Sequence, residues 1–172
     1  MILETVTVRP FAAKDLPGAA AALVEVHDTD GYPVEGVEDP EAWIESEGVL
    51  AAWVAESGGK IVGHVAVLKA SGEAAAVLWA ELSGTDPAHV GVLARLFVVQ
   101  AARKQATGRR LIEAAMAYAR GRQLRLVLDV MTKDAAAIRL YERLGWQKIG
   151  ETVHHFGAAE TIPAVCYVAP TG

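Results

Sequence analysis

The stretch Arg103-Lys104-Gln105-Ala106-Thr107-Gly108-Arg109-Arg110 decides the reading of this chain, because it joins an apolar run to an amphipathic one and crowds positive charge at the junction. Upstream, residues 92–99 (VLARLFVV) are bulky and largely β-branched, as a buried strand is; downstream, Leu111, Ile112, Ala115, Met116 and Ala119 recur at helical spacing. The order is therefore strand, loop, helix. A helix N-terminus offers unpaired N–H groups and a partial positive charge, and small residues in the loop let a phosphate come close to them. The stretch reads as an anion site, and the anion as a phosphorylated cofactor.

The charge is local. Over residues 95–125 eight basic residues oppose Glu113 alone, a balance of +7 inside a chain of net charge −5. Nucleic-acid binding wants a broad basic face and a basic chain, so the asymmetry favours one small anionic ligand over a polyanion. Arg120, Arg122 and Arg125 read as a solvated helix face and its exit. Arg103 to Arg109 coincide with Gly108 and the helix start, and carry the anion-site reading.

At 172 residues and 52% hydrophobic content the chain can bury one core and is short for two, so a single domain over residues 1–172 is expected. Cys166 is the only cysteine, which excludes an intrachain disulfide and a cysteine-based zinc site and fits a reducing cytoplasm. Residues 1–6 lack the pattern of a secretory signal, and no apolar run reaches membrane-spanning length. A cytoplasmic protein without a membrane partner is expected.

Elsewhere the pattern alternates strands and helices. Residues 5–9 alternate as a half-buried strand, and Asp15 with Pro17 opens a helix through Val26. Residues 27–38 read as loop; Asp39-Pro40 starts a short helix that Gly48 stops. Residues 50–56 and 61–69, separated by Ser57-Gly58-Gly59-Lys60, read as a hairpin. Residues 74–82 fit either helical turns or a strand, and Gly84-Thr85-Asp86-Pro87 is a turn. Gly121 stops the helix after the anion loop, and residues 124–130 (LRLVLDV) form a strand with Leu126, Leu128 and Val130 on one face. Asp134 caps a second helix, whose buried stripe is Ile138, Tyr141 and Leu144 or Ala137, Leu140 and Leu144, and Gly145 ends it. Strands near 146–153 and 164–168 complete a mixed α/β chain.

Strand, R-x-x-A-x-G loop, helix, strand, and then DAAAIRLYERLGW at 134–146 is an order that resembles the GNAT N-acyltransferase superfamily over about residues 96–146. That family's signature is Arg or Gln, two residues, Gly, one residue, then Gly or Ala. The resemblance implies a central, mixed, mostly antiparallel twisted sheet of about six to seven strands with about four helices. It implies acetyl-CoA as cofactor, held at Leu96, Phe97, Val98, Arg103, Lys104, Gln105, Ala106, Thr107, Gly108, Arg109, Asp134 and Tyr141. The pyrophosphate would lie on the N–H groups of residues 104–109, and the pantetheine along the strand edge at Val98, as a peptide adds to an open edge. Ala106 departs from the family's Gly; a positive φ there would cost alanine about 1 kcal/mol or more, whereas a helical φ would cost nothing.

The implied activity is transfer of an acetyl group to a primary amine by direct attack, with the Val98 N–H stabilising the oxyanion, Tyr141 protonating the leaving thiolate and Asp129 assisting deprotonation. Tyr141 lies about 10 Å along the helix from Asp134. A phenol with a reference pKa near 10 is protonated at neutral pH and can donate, although a packed core tyrosine is the plainer alternative. Asp129 stands where the family's ribosomal-protein-alanine acetylating members have Glu, or else pairs with Arg125 or Arg95. His64, Glu81 and Asp86 are alternative bases.

A non-catalytic acyl-CoA sensor or interaction module is the alternative function, and Ala106 keeps it open. The acceptor is a small-molecule or peptide amine, and a homodimer is admitted. Asp30, Tyr32, Trp43, Trp53, Trp79 and Glu81 are candidate wall material for it. His154 and His155 are adjacent in a strand and point oppositely, so no metal site is expected. The chain contains no G-x-S-x-G, H-E-x-x-H or G-x-x-x-x-G-K-[ST].

Overall fold

Alternation and helical periodicity resolve into seven strands and five α-helices in the computed structural model, which describes residues 5–33, 36–156 and 159–171. The strand order is β1-β2-β3-β4-β5-β7-β6, with the elements as defined below. The backbone groups into two compact units, Met1–Val67 with Ala94–Ala115, and Leu68–Leu93 with Met116–Gly172.

In the first unit, β1 (Thr7–Pro10) pairs antiparallel with β2 (Val49–Ser57), Val8 opposite Ala55. A 3₁₀ turn at Ala13–Asp15 precedes α1 (Leu16–Asp30), which therefore runs four residues beyond Val26 before Gly31 closes it at φ 72°. The helix takes over part of the expected loop at 27–38; positions 34 and 35 of that loop lie outside the described residues, as do Met1 to Glu4. Helix α2 (Pro40–Ile44) starts as expected, the Asp39 carboxylate accepting from the Ala42 N–H at 3.1 Å, but ends well before Gly48.

Strand β2 turns into β3 (Lys60–Lys69) through Gly58 and Gly59 at φ 58° and 80°, the two positive values a tight hairpin turn requires. At Gly63 a Cβ would sit 3.1 Å from Leu111 Cδ1 and 3.2 Å from the Phe97 carbonyl, so only glycine lets the strand pack this closely. The unit also holds the end of β4 (Val90–Val98) and the start of α4 (Thr107–Gly121). Leu23, Val54, Val65, Leu111 and Ile112 form its buried centre.

In the second unit, residues 74–82 prove helical, as α3 (Ala74–Ser83) ended by Gly84. The start of β4 runs parallel to β5 (Arg125–Met131), with Val90, Gly91 and Val92 opposite Arg125, Leu126 and Val127. Strand β5 pairs antiparallel with β7 (Glu160–Val168), and β7 with β6 (Gln147–Phe156), around a bulge between Lys148 and Gly150. Helix α5 (Ala135–Arg143) begins after Asp134, whose side chain makes no capping hydrogen bond, contrary to expectation. The fifth helix is α3, whose residues satisfied either a helix or a strand in the sequence. Leu126, Leu128 and Val130 are buried, as the alternation requires.

Candidate active site

The anion loop is a 3₁₀ helix, Gln100–Gln105, that ends on Ala106 at φ 58°, ψ 26°. This is the left-handed region, which costs a residue with a Cβ about 1–2 kcal/mol. The twist lets α4 start abruptly: its first helical bond runs from the Arg110 N–H to the Ala106 carbonyl at 3.0 Å. The N–H groups of Thr107, Gly108 and Arg109 therefore have no acceptor within the helix. The Thr107 side chain is fully buried and its hydroxyl donates to the Ala102 carbonyl at 2.8 Å, so this residue offers its main chain, not its oxygen, to an anion.

The arginines divide the work. Arg103 Nε donates to the Val98 carbonyl at 3.0 Å and its guanidinium pairs with Asp30 at the end of α1. Arg103 thus ties the loop to the strand end and to α1. Arg109 bridges to Glu113 on the exposed face at 3.4 Å, and Arg110 donates to the Val6 carbonyl at 2.6 Å. The side chain of Lys104 lies outside the described residues, and Gln105 is half-buried. Nothing local signals the Arg103–Asp30 pair, because its partners are 73 residues apart.

Strand β4 leaves the regular pleat at Arg95, φ 57°. The Arg95 carbonyl accepts from His64 Nδ1–H at 2.9 Å, while the guanidinium lies over the Trp43 ring at 5.6 Å. His64 is wholly buried, stacked on Phe97 at 5.2 Å and edge-on to Phe11. Burial pulls its pKa down to about 4, with the Arg95 charge also pulling down and the hydrogen bond to the Arg95 carbonyl opposing. His64 is a neutral packing residue with its proton committed, which argues against a role as base. Trp43 stands edge-on to Tyr32 at 5.9 Å and against Phe97 at 6.4 Å, so two expected wall residues form one aromatic cluster. Leu96 is half-buried, and Phe97 and Val98 are buried.

The second unit holds the other candidates. Tyr141 on α5 is 5% exposed and packs against Trp146 at 5.6 Å. Burial raises its pKa above the ordinary phenol value, and the charges of Asp134 and Asp129 raise it further. Asp129 lies opposite Cys166 in the β5–β7 register and makes no ion pair or hydrogen bond among the described residues. The expected pairing with Arg125 is not formed: Arg125 instead donates through Nε and Nη2 to the Ala169 carbonyl. Burial and Asp129 push the Cys166 thiol up to about 11, so it is an inert core thiol. Asp86 caps a short 3₁₀ turn by accepting from the Ala88 N–H, and Glu81 is exposed on α3. No group of three potential metal ligands occurs among the described residues.

A left-handed residue ahead of a helix whose first N–H groups have no acceptor within the helix forms a main-chain site suited to an anion. Solved structures share the architecture. The chain is 22% identical to a ribosomal-protein-alanine N-acetyltransferase from Brucella melitensis, covering 94% of this chain and 98% of that one at a TM-score of 0.72. It is 21% identical to the ribosomal-protein-S18-alanine N-acetyltransferase from Escherichia coli, covering 96% and 94% at 0.69. It is 19% identical to Arabidopsis thaliana NAA60 in complex with acetyl-CoA, covering 95% and 97% at 0.71. No curated protein matches the chain. The Acetyltransferase (GNAT) family profile matches residues 20–146. The chain belongs to this family, and is an acetyltransferase enzyme. No described helix is long and apolar enough to cross a membrane.

Proposed function

We propose that the whole chain acts as one catalytic domain that moves the acetyl group of acetyl-CoA to a primary amine within a ternary complex. The observation that carries this reading is Ala106 held left-handed ahead of Thr107, Gly108 and Arg109, whose N–H groups have no acceptor within the helix. Those N–H groups would take the pyrophosphate, and Leu96, Phe97 and Val98 the pantetheine.

In the reaction the amine nitrogen attacks the thioester carbonyl, and the Val98 N–H steadies the oxygen as it gains charge. The intermediate collapses by breaking the carbon–sulfur bond; Tyr141 gives its phenolic proton to the departing sulfur, and the amine's surplus proton passes through water to Asp129. Burial keeps Tyr141 protonated at neutral pH, so the donor is loaded, and it also makes the phenol a weaker acid than a solvated one. Asp129 suits its role because no cation among the described residues engages the carboxylate.

The acceptor reading is an α-amino group. Freeing such an amine at pH 7 costs about 1 kcal/mol, against about 4.6 kcal/mol for a lysine-like amine, and a carboxylate is a weak base. The alanine-directed names of two solved relatives point the same way. The test is release of CoA thiol from acetyl-CoA against three peptides: one with a free N-terminus and no lysine, one blocked with lysine, and one with neither. Release with the first alone is expected. Release with none of them, nor with a panel of small amines, overturns the reading.

A further inference from the structure

In the second unit a cavity of about 300 Å³ opens between the end of α4, the start of β5 and the segment after β7. Its floor is apolar, including Met116, Leu126 and Ala169, while Arg120 and Arg125 bring positive charge and no Asp or Glu lines it. In a chain with 21 acids and 16 lysines and arginines this is a selected imbalance.

Arg125 is the central group. Its Nε and Nη2 donate to the Ala169 carbonyl at 2.9 and 2.7 Å, and its guanidinium lies 5.1 Å from the centre of the Trp79 ring. The guanidinium is therefore held rigidly, half-buried, and without a carboxylate partner among the described residues. The Trp79 indole N–H is buried and likewise has no acceptor among them. A rigid, partly desolvated cation with spare donors binds a carboxylate more strongly than a solvated one does. The volume stands at the lower end of small-molecule sites, and the floor rewards an apolar body behind the charged head.

We infer that this cavity is a binding site for a small organic carboxylate with an apolar tail, its head on Arg125 and Arg120 and its tail over Met116 and Leu126. The site uses none of the residues assigned to acetyl transfer, so it stands or falls independently of that reading.

The test is an amide-resolved NMR titration of the whole protein with hexanoate, with hexylamine and hexanol as controls. Saturable shifts are expected at residues 120–126 and 169–171 with hexanoate, unchanged when CoA is present. Arg120→Glu, an exposed substitution that leaves the fold alone, is expected to weaken the affinity at least tenfold, and Arg125→Gln to abolish it. A non-saturating response, equal shifts with either control, displacement by CoA, or an unchanged affinity in Arg120→Glu overturns the inference.

Discussion

His64 in the first unit and Tyr141 in the second are both buried side chains, and burial is the largest influence on each. The consequences are opposite. Desolvation disfavours whichever form is charged, so it strips the extra proton from the imidazole and fastens the proton on the phenol. His64 becomes a neutral strut whose single N–H holds the Arg95 carbonyl. Tyr141 keeps its proton, and the charges of Asp134 and Asp129 hold that proton in place further. One physical cause makes a structural residue in one region and a candidate acid in the other.

The comparison breaks first at Tyr141. Tyr141→Phe keeps the packing on Trp146 but removes the donor, and kcat is expected to fall by about 10²–10⁴ with CoA affinity unchanged, measured by thiol release and calorimetry. A wild-type rate would leave Tyr141 as a mere core residue.

His64 offers the next largest effect. Its folded pKa near 4 lies below the ordinary 6.5, so the unfolded chain binds the extra proton first and stability falls as pH drops from 6.5 to 4. The loss is about 3 kcal/mol. Denaturant midpoints across that range are expected to show it in the wild type. Against other titrating groups, the His64→Leu variant isolates it: less stable at pH 7, but lacking that share of the acid loss. Equal slopes would remove His64 from the account.

Asp129 sharpens the link between the two carboxylates and the phenol. Asp129→Asn is expected to lower kcat about 10²-fold, the low end of what a general base contributes, and to bring the Tyr141 pKa down because one opposing charge is gone. The pH–rate profile reads the first and a tyrosinate absorbance titration the second; an unmoved Tyr141 would deny the coupling.

The smallest effect belongs to Ala106. Ala106→Gly relieves a left-handed strain of about 1–2 kcal/mol while adding unfolded-state entropy worth about 0.4–1 kcal/mol. Thermal unfolding is expected to show a net gain of up to about 1 kcal/mol, with CoA bound at least as tightly. Destabilisation would mean that the alanine methyl packs usefully.

Much of the site was legible locally. The R-x-x-A-x-G spacing marked the helix start, and the alternative that Ala106 takes a positive φ is the one the backbone adopts. The hairpin at Gly58-Gly59 and the stripe Leu111, Ile112, Ala115 followed from turn chemistry and period. Other assignments were not local. Residues 74–82 satisfy both periods until α3 packs on β5 and β6. Asp134 looked like a cap because the residue type favours that role, yet its carboxylate makes no capping bond. The motif counts Arg103 among the cofactor-binding residues, and no local pattern shows that its guanidinium meets Val98 and Asp30.

Periodicity, turn residues and one loop motif were sufficient to determine a mixed α/β chain in which a strand, a charged loop and an amphipathic helix follow one another, since each depends on neighbours a few positions apart. Only the tertiary structure decided which side chains are charged, which are committed and which remain available. His64 meets the Arg95 carbonyl across 31 residues, Arg125 meets Ala169 across 44, and Arg103 meets Asp30 across 73. Desolvation and hydrogen bonding act through space, and no local pattern records who will stand beside whom.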